Sequence, residues 1–534
     1  VHHPAITSHH ATTIRHERIA PGSVMALIAM GLGVIVIAND FTALNVALPA
    51  IEQDFNVDVG TVQWVINAYC FVFGMAIVTG GRLADMFGRR RAFFLGSAIF
   101  AAFSLLGGVA QSAPWLIGTR VGMGIGGALM WPAILGMTYA ALPESKAGLA
   151  GGLILGAAGI GNAMGPLLGG VLTDELSWRW IFFLNVPIAA FAVLVTWLKV
   201  HQPSPEVSNQ RIDYPGIASL SAGLLLLLLA FDQAADWGFG DPRVIAMLVG
   251  AVLLVGVFSR IEPRMRESAL IPSDVIRSGE FRSVCAAVLL MSAVFFATVL
   301  YVPQFMEKIL GFSALKAGFG MVPMLGSFAI VAFIAGPLYG RFGAKPTVTV
   351  GAVAFTLGPL LLSMVDSGSS YGSLVAGLVV TGVGAGLFIP SVTTAGVTAL
   401  DASRASLAGG LIYMFQIAGG AIGLGITTAI FTITSENELD SQATAAGSNL
   451  TDHQVAVMHG ALAGTDSGQA ALAAVPAAAH DRIVAAVSDS FAIGIQNGFR
   501  FVTAAAVLGF LISLFFVGGR LLGQRVAEPD RAQA

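Results

Sequence analysis

Apolar residues in this chain gather into long runs, and polar residues fill the short stretches between them. The runs show no alternation of period two, so they read as helices rather than barrel strands. Runs of 17 residues or more fall at 22–48, 62–80, 92–110, 115–140, 148–170, 181–199, 216–232, 243–259, 283–304, 316–339, 347–364, 371–395, 406–432 and 499–518. A helix needs about 20 apolar residues to cross the hydrocarbon layer, so each run is expected to span a membrane. The first run follows a polar tail and is too long for a cleaved signal peptide. Residues 433–498 are rich in Ala, Ser and Asp and read as one long external loop. Within it Ile483, Val484, Val487 and Phe491 have the spacing of a surface helix.

Composition narrows the class. Of 534 residues, 56% are hydrophobic and 11% charged, with mean hydropathy +0.81. A soluble chain carries about 25% charged residues to cover its surface. That excludes a soluble enzyme, a nucleic-acid binder and a disordered scaffold. Cys70 and Cys285 both lie inside apolar runs, so neither a disulfide framework nor a metal site is expected. The tail 1–21 holds five of the nine histidines. Their spacing suits no single tetrahedral site, and the tail reads as solvated.

The net charge of −3 becomes informative once the charges are placed. With fourteen spans, 20 of the 27 basic residues fall on one side, including Arg82, Arg89, Arg90, Arg91 and five arginines within 260–282. Six fall on the other side, and Arg120 lies within a span. Of the 30 acids, 17 sit on the basic-poor side. Such a bias predicts that both termini are cytoplasmic. Trp64, Trp115, Trp178, Trp180 and Trp237 fall at outer helix ends, where an aromatic belt belongs.

The chain also repeats itself. Leu149-Ala-Gly-Gly-Leu-Ile154 recurs unchanged as Leu407-Ala-Gly-Gly-Leu-Ile412. Gly124-x-Gly126 with Leu129 and Pro132 matches Gly382-x-Gly384 with Leu387 and Pro390 at the same offset. Gly81-x-Leu83 with Phe87-Gly88 matches Gly336-x-Leu338 with Phe342-Gly343 at nearly that offset. Two related six-helix halves are therefore expected, with the pair near 216–259 inserted between them. Parallel repeats around a central site are the architecture of a transporter.

Several segments resemble a known family. Gly81-Arg-Leu-Ala-Asp85-Met-Phe-Gly88-Arg-Arg-Arg91 resembles the loop signature of the major facilitator superfamily, and Arg120-Val-Gly-Met-Gly124-Ile-Gly-Gly-Ala128 its fourth-helix motif. Gly161-Asn-Ala-Met-Gly165-Pro166-Leu-Leu-Gly169-Gly170 is similar to its fifth-helix antiporter motif. Asp40-Phe-Thr-Ala-Leu-Asn45-Val-Ala-Leu-Pro49 and Ser177-Trp-Arg-Trp-Ile-Phe-Phe-Leu-Asn185-Val-Pro187 resemble the fourteen-span drug:proton antiporter branch of EmrB/QacA type. Two positions depart: Met123 stands where the fourth-helix motif usually has Gln, and Met86 where the loop usually has a basic residue. The resemblance implies an all-α membrane protein with the major facilitator fold, two six-helix bundles plus two inserted helices, 14 transmembrane helices in all. Its parts would be a cytoplasmic tail 1–21, a bundle 22–199 and an inserted segment 200–282 with cytoplasmic flanks. A second bundle 283–518 carries the external loop 433–498, and a cytoplasmic tail 519–534 follows.

The candidate chemistry concentrates in the first half. Asp40 is the one acid placed firmly in the hydrocarbon layer, about 12 Å inside the outer end of its helix at ~1.5 Å per residue. An ionisable group there costs at least about 2.5 kcal/mol and marks function by default; a bond to neighbouring backbone is the plainer alternative. Arg120 falls about 8 Å inside the fourth helix by the same rise. Burial disfavours a carboxylate and a nearby guanidinium favours it, and a group under both pulls can take up and release a proton. Arg120 could equally be a structural tie.

Gly81 and Gly88 permit close approach and tight turning. Asp85 could cap a helix of the other half, and Arg89, beside Arg90, could pair with Glu144; the resemblance makes this set a gate. Gly161, Gly165, Gly169 and Gly170 form a small-residue stripe beside Pro166, expected to pack against the helix that begins near Gly318. Plain tight packing would produce the same stripe. In the second half Asp85 becomes Gly340, Arg120 becomes Leu378 and Pro166 becomes Leu424. Asn39, Trp131, Tyr413 and Gln416 are candidate substrate contacts, because those helices line the cavity in the family.

The function expected is a proton-coupled antiporter exporting amphipathic or hydrophobic small molecules by alternating access. It would sit in a bacterial inner membrane as a monomer, with both termini cytoplasmic. No phosphate-binding loop is present, so no nucleotide and no cofactor is expected; the proton gradient would supply the drive. With Asp40 as the one internal charge, neutral or monocationic substrates are expected. An exporter of one endogenous lipid or metabolite is a second reading. A membrane-embedded enzyme would need a clustered His and acid constellation at depth, which the spans lack.

Overall fold

The computed structural model describes residues 21–57, 59–143, 146–200, 212–265, 268–445, 457–458 and 477–518. Among them, regular structure is helical throughout, and fourteen helices are long and apolar enough to cross a membrane. The first six are α1 Pro21–Phe55, α2 Val59–Phe87, α3 Arg89–Gly108, α4 Ala113–Ala140, α5 Ala147–Glu175 and α6 Arg179–Lys199. The inserted pair is α7 Tyr214–Trp237 and α8 Pro242–Met265. The last six are α9 Gly279–Lys308, α10 Val322–Phe342, α11 Ala344–Leu362, α12 Tyr371–Thr398, α13 Ala405–Ala445 and α14 Ala477–Phe516. Short helices Ser273–Arg277 and Ala314–Gly320 and a 3-10 turn Ala402–Arg404 complete the described elements.

The two halves pack alike. In the first, α1 lies on α5 and α6, α4 on α2 and α3, and α3 on α6. In the second, α9 lies on α13 and α14, α12 on α10 and α11, and α11 on α14. Across the seam, α2 meets α13 and α5 meets α10, which are equivalent pairings. The inserted α7 packs on α8 and reaches both α2 and α13, so it bridges the seam. By contrast α8 turns apolar side chains outward, with Val252 71% and Leu253 63% exposed. A side chain so placed fits a lipid-facing position.

The repeated Leu-Ala-Gly-Gly segment has a packing cause. A Cβ on Gly152 would stand 2.7 Å from the Ala332 carbonyl oxygen of α10, and one on Gly410 would stand 2.9 Å from that of Ile77 in α2. Each half thus lets the other's backbone in at the same place, at the basic-rich end of the bundle.

Three sequence expectations change. Helix α1 runs past Pro49 to Phe55 and stops at Asn56, whose φ is +50°. The segment 433–498 is not simply a loop: α13 continues to Ala445, with no Gly or Pro between Ile433 and Ala445, and α14 begins at Ala477. Ile483 and Phe491, expected on a surface helix, are buried in α14, where Phe491 meets Phe431 of α13. Finally, Trp178 is 3% exposed and stacks edge-on to Phe55 and Phe182, so it packs inside the first half rather than joining a belt.

Candidate functional site

Helices α1 and α4 bring Asp40 and Arg120 together at the heart of the first half, with neither exposed at all. Arg120 Nη1 donates to Asp40 Oδ2 at 2.5 Å, and Arg120 Nε donates to the Val65 carbonyl of α2 at 2.8 Å. The other carboxylate oxygen accepts from Asn185 Nδ2 of α6 at 3.1 Å. Asn185 is itself within 3.4 Å of Ser104 Oγ, which donates to the Phe182 carbonyl at 2.7 Å. The guanidinium carbon lies 4.3 Å from the Tyr69 ring centroid, close enough for cation–π attraction. Met123 presents its sulfur 3.5 Å from Arg120 Nη1, so a thioether occupies the place the family usually gives to an amide. Because α1 extends to Phe55, Asp40 lies about 22 Å along the helix from that end at ~1.5 Å per residue. The carboxylate therefore faces polar protein groups rather than lipid.

From Tyr69 an aromatic wall continues toward the seam. Phe41 contacts Tyr69 and Phe73, with ring centroids 4.8 and 5.5 Å away. Phe73 lies 5.6 Å from Tyr413 of α13, and Tyr413 lies 4.6 Å from Trp131 of α4. Trp131 and Tyr413 thus meet across the two halves. Asn39 and Gln416 make no described contact with these rings. Trp131 Nε1 and Asn39 Oδ1 are buried without a described hydrogen-bond partner, so each has a bond to offer a bound molecule.

The loop between α2 and α3 closes the basic-rich end. Gly88 adopts φ +103°, which a side chain would resist. Asp85 accepts from Leu407 N at 2.8 Å and Ser406 N at 3.3 Å, at the first turn of α13. A carboxylate is favoured there by the free N–H groups and the helix dipole. Gly81 faces the same turn: a Cβ there would stand 2.7 Å from the Ser406 carbonyl oxygen. Arg89 ties to Asp85 at 3.0 Å and donates to the carbonyls of Gly136 and Ala402, at 3.0 and 2.5 Å. Its expected partner Glu144 lies outside the described residues. Arg90 points elsewhere, donating to the Trp197 carbonyl of α6 at 2.9 Å. Tyr139 and Thr394 add a 3.0 Å bond between α4 and α12. Asp401 starts the 3-10 turn that receives Arg89, and hydrogen bonds from Ser403, side chain then backbone, hold its carboxyl below the ordinary range. It stays charged at neutral pH, and the cap weakens only as pH falls through that lowered value.

Residues 30–432 match the Major Facilitator Superfamily over most of the chain. The chain belongs to that superfamily. It is a multi-pass membrane protein, 30% identical to the tetracenomycin C resistance and export protein of Streptomyces glaucescens, over 75% of this chain and 74% of that one. It is 32% identical to the cephamycin export protein CmcT of Amycolatopsis lactamdurans, covering 76% and 84% of the two chains. The puromycin resistance protein pur8 of Streptomyces alboniger is 31% identical, with coverage of 74% and 80%. The crystal structure of the human organic anion transporter MFSD10 (TETRAN) shares the fold, with TM-score 0.61 at 14% identity, over 92% of this chain and all of that one.

Within this superfamily member two sequence expectations are corrected. The stripe Gly161, Gly165, Gly169 faces α1, not α10: added Cβ atoms would meet Ile35 and Ala38, Thr42, and Ala43. Gly170 touches only Val46. Thr42 Oγ1 donates to the Asn162 carbonyl at 3.1 Å beside Pro166, whose ring leaves no N–H at that point of α5. The glycines that do meet α10 lie earlier on the helix, at Gly148, Gly152, Gly156 and Gly159. Asp40 is also not alone at depth. Because α7 reaches Trp237, Asp232 sits inside the helix, and Asn67 Nδ2 of α2 donates to both its oxygens at 3.2 and 3.3 Å. The premise of a single internal charge therefore fails.

Asn185, Tyr69 and Asp232 are the functional candidates that sequence reasoning missed. Asn185 stood inside a quoted signature, and that was the available signal.

Proposed function

We propose that this chain is a proton-coupled antiporter that exports amphipathic or hydrophobic small molecules. It works without a cofactor, as a monomer in a bacterial cytoplasmic membrane, with the basic-rich end inside. The observation that carries the reading is the buried Asp40–Arg120–Asn185 cluster, present in one half while Leu378 stands at the equivalent of Arg120 in the other. A buried ion pair costs desolvation and is weak evidence of stabilisation. Its retention in one half alone therefore points to use. The export and resistance proteins to which the chain is similar supply the substrate class, and the aromatic wall from Tyr69 to Trp131 supplies apolar contact for it.

The conformation is closed at the inner end by Asp85, Arg89 and Tyr139. In the cycle a proton from outside neutralises Asp40, Arg120 loses its anion, and the α1–α4–α6 cluster rearranges as the halves rock. Release of the proton inside restores the pair, and cargo bound from the inner side leaves outward on the return. The test uses vesicles holding only this protein. An imposed pH difference should drive accumulation of an amphipathic dye, and a protonophore should abolish it. Asp40→Asn should stop uphill transport while the protein still inserts; undiminished uphill transport by that variant refutes the coupling role.

A further inference from the structure

Tyr69 stands where the buried ion pair meets the aromatic wall, and none of it is exposed. Its ring carries the Arg120 guanidinium 4.3 Å from the centroid. Arg120 is thus held three ways: by Asp40 of α1, by the Val65 carbonyl and by the Tyr69 ring. The last two both belong to α2, where Val65 and Tyr69 lie one turn apart on one face. Phe73, a further turn along α2, has its ring 5.9 Å from that of Tyr69 and 5.6 Å from that of Tyr413 in α13. Tyr69 thereby links the ion pair of the first half to the seam with the second.

The hydroxyl end has a different surrounding. It is buried without a described hydrogen-bond partner, and so is the indole N–H of Trp131. A Cβ on Gly127 of α4 would stand 3.3 Å from that hydroxyl. Trp131 follows Gly127 by four residues, so both donors lie along one face of α4, about one turn apart. Tyr413 comes within 4.6 Å of Trp131, which puts this face at the seam. A buried donor without an acceptor is costly to keep, and cargo that brings an acceptor to the seam removes that cost. A carbonyl on an aromatic ring system suits the place, because Phe73 and Tyr413 offer ring contacts beside it.

Burial also sets the response to a proton. Neutralising Asp40 takes away the only anion on Arg120 among its described contacts. The guanidinium then depends on its supports from α2, and cation–π attraction is strongest where water is absent. The tie on Arg120 passes from α1 to α2, and the Tyr69 ring is drawn to the guanidinium, taking its hydroxyl from the cargo side. Cys70 and Tyr413 are the other titratable groups that act on Tyr69. Asp232 of α7 is held by Asn67 on another face of α2.

We propose that Tyr69 is the residue that couples proton to cargo: its ring answers the charge state of the Asp40–Arg120 pair, and its hydroxyl donates, with Trp131 Nε1, to a carbonyl on an aromatic cargo. This role rests on the antiport reading and deepens it, since it names how proton and cargo exclude each other and which cargo chemistry is preferred.

The probes are daunorubicin and ethidium, aromatic monocations of which only the first carries quinone carbonyls. Their affinities for the purified full-length protein would be measured by fluorescence polarisation at acid and neutral pH. In wild type both should weaken at acid pH, by a factor within the range of about 5–150 that coupled sites show, and Asp40→Asn should remove the dependence. Tyr69→Phe keeps the ring face, so the pH factor should persist while daunorubicin alone binds about two- to tenfold more weakly. Phenylalanine with one, two and three ring fluorines at position 69 keeps the shape and drains the negative face in steps. The pH factor should then shrink step by step toward one. A factor that fluorination leaves unchanged overturns the coupling role. Equal daunorubicin affinity in wild type and Tyr69→Phe overturns it also, in favour of a buried water on the two donors. A wild-type affinity indifferent to pH sinks the antiport reading itself, and this role with it.

Discussion

Asp40 gives each carboxylate oxygen a different donor, Arg120 for one and Asn185 for the other. Losing one partner of a buried ion pair costs roughly 3–5 kcal/mol, because the survivor is left charged and alone. Asp40→Leu or Arg120→Leu should therefore lower the melting temperature steeply. The double variant, which gives the first half the apolar solution seen at Leu378, should recover much of that loss without recovering transport. Calorimetry of the three variants in detergent checks this; a double variant no more stable than either single would show that the pair is not coupled. Asn185→Ala removes a hydrogen bond to a charged group, worth about 1.5–3 kcal/mol. Proton-driven dye uptake should fall roughly tenfold or more while insertion stays normal. Asp40 and Arg120 were legible in the sequence because charge inside an apolar run stands out. Asn185 and Tyr69 were not, since a neutral polar or aromatic residue in a span has no such contrast until its neighbour is known.

A helix carries its faces in its sequence but not the identity of the helix that meets each face. The glycines of α5 show this: Gly161, Gly165 and Gly169 receive α1, and Gly148, Gly152, Gly156 and Gly159 receive α10. Spacing alone assigns the Gly161 to Gly170 stripe to α10, which the earlier glycines meet instead. The equivalence of Gly152 and Gly410 was legible as an exact repeat of six residues, and its cause is close backbone crossing at both seams. Gly152→Val and Gly410→Val should each force the crossing apart, since a carbonyl oxygen cannot yield as a flexible side chain can. Each should impair export severely and lower protease resistance, whereas Gly118→Val, with open space around it, should be tolerated. Helix ends were the weakest reading. The α1 extension moved Phe55 from a loop into a helix, and the reach of α7 to Trp237 moved Asp232 from the end of its run to the helix interior, changing the depth assigned to each acid.

At the scale of the molecule, the inner closure joins the halves through a few polar ties. Tyr139→Phe deletes the bond to Thr394, and Asp85→Asn removes a negative charge from the first turn of α13. Both should shift the protein toward opening at the inner end, Asp85→Asn more so. Distances between spin labels on the inner ends of α5 and α10 should lengthen; unchanged distances would count against a gate at this end. Trp131→Ala should open the aromatic wall where the halves meet, weakening bulky aromatic substrates more than small ones in a transport panel.

The sequence by itself determined the membrane class, the number of spans, the two-fold repeat and the concentration of charge in one half. Each of these follows from local physics: run length against hydrocarbon thickness, and the cost of charge within it. Only the tertiary structure decided which polar group completes the Asp40 cluster, which helix each glycine stripe admits, and that Asn67 meets Asp232. Those are contacts between residues tens to hundreds of positions apart, and packing alone chooses among many partners that one sequence pattern allows.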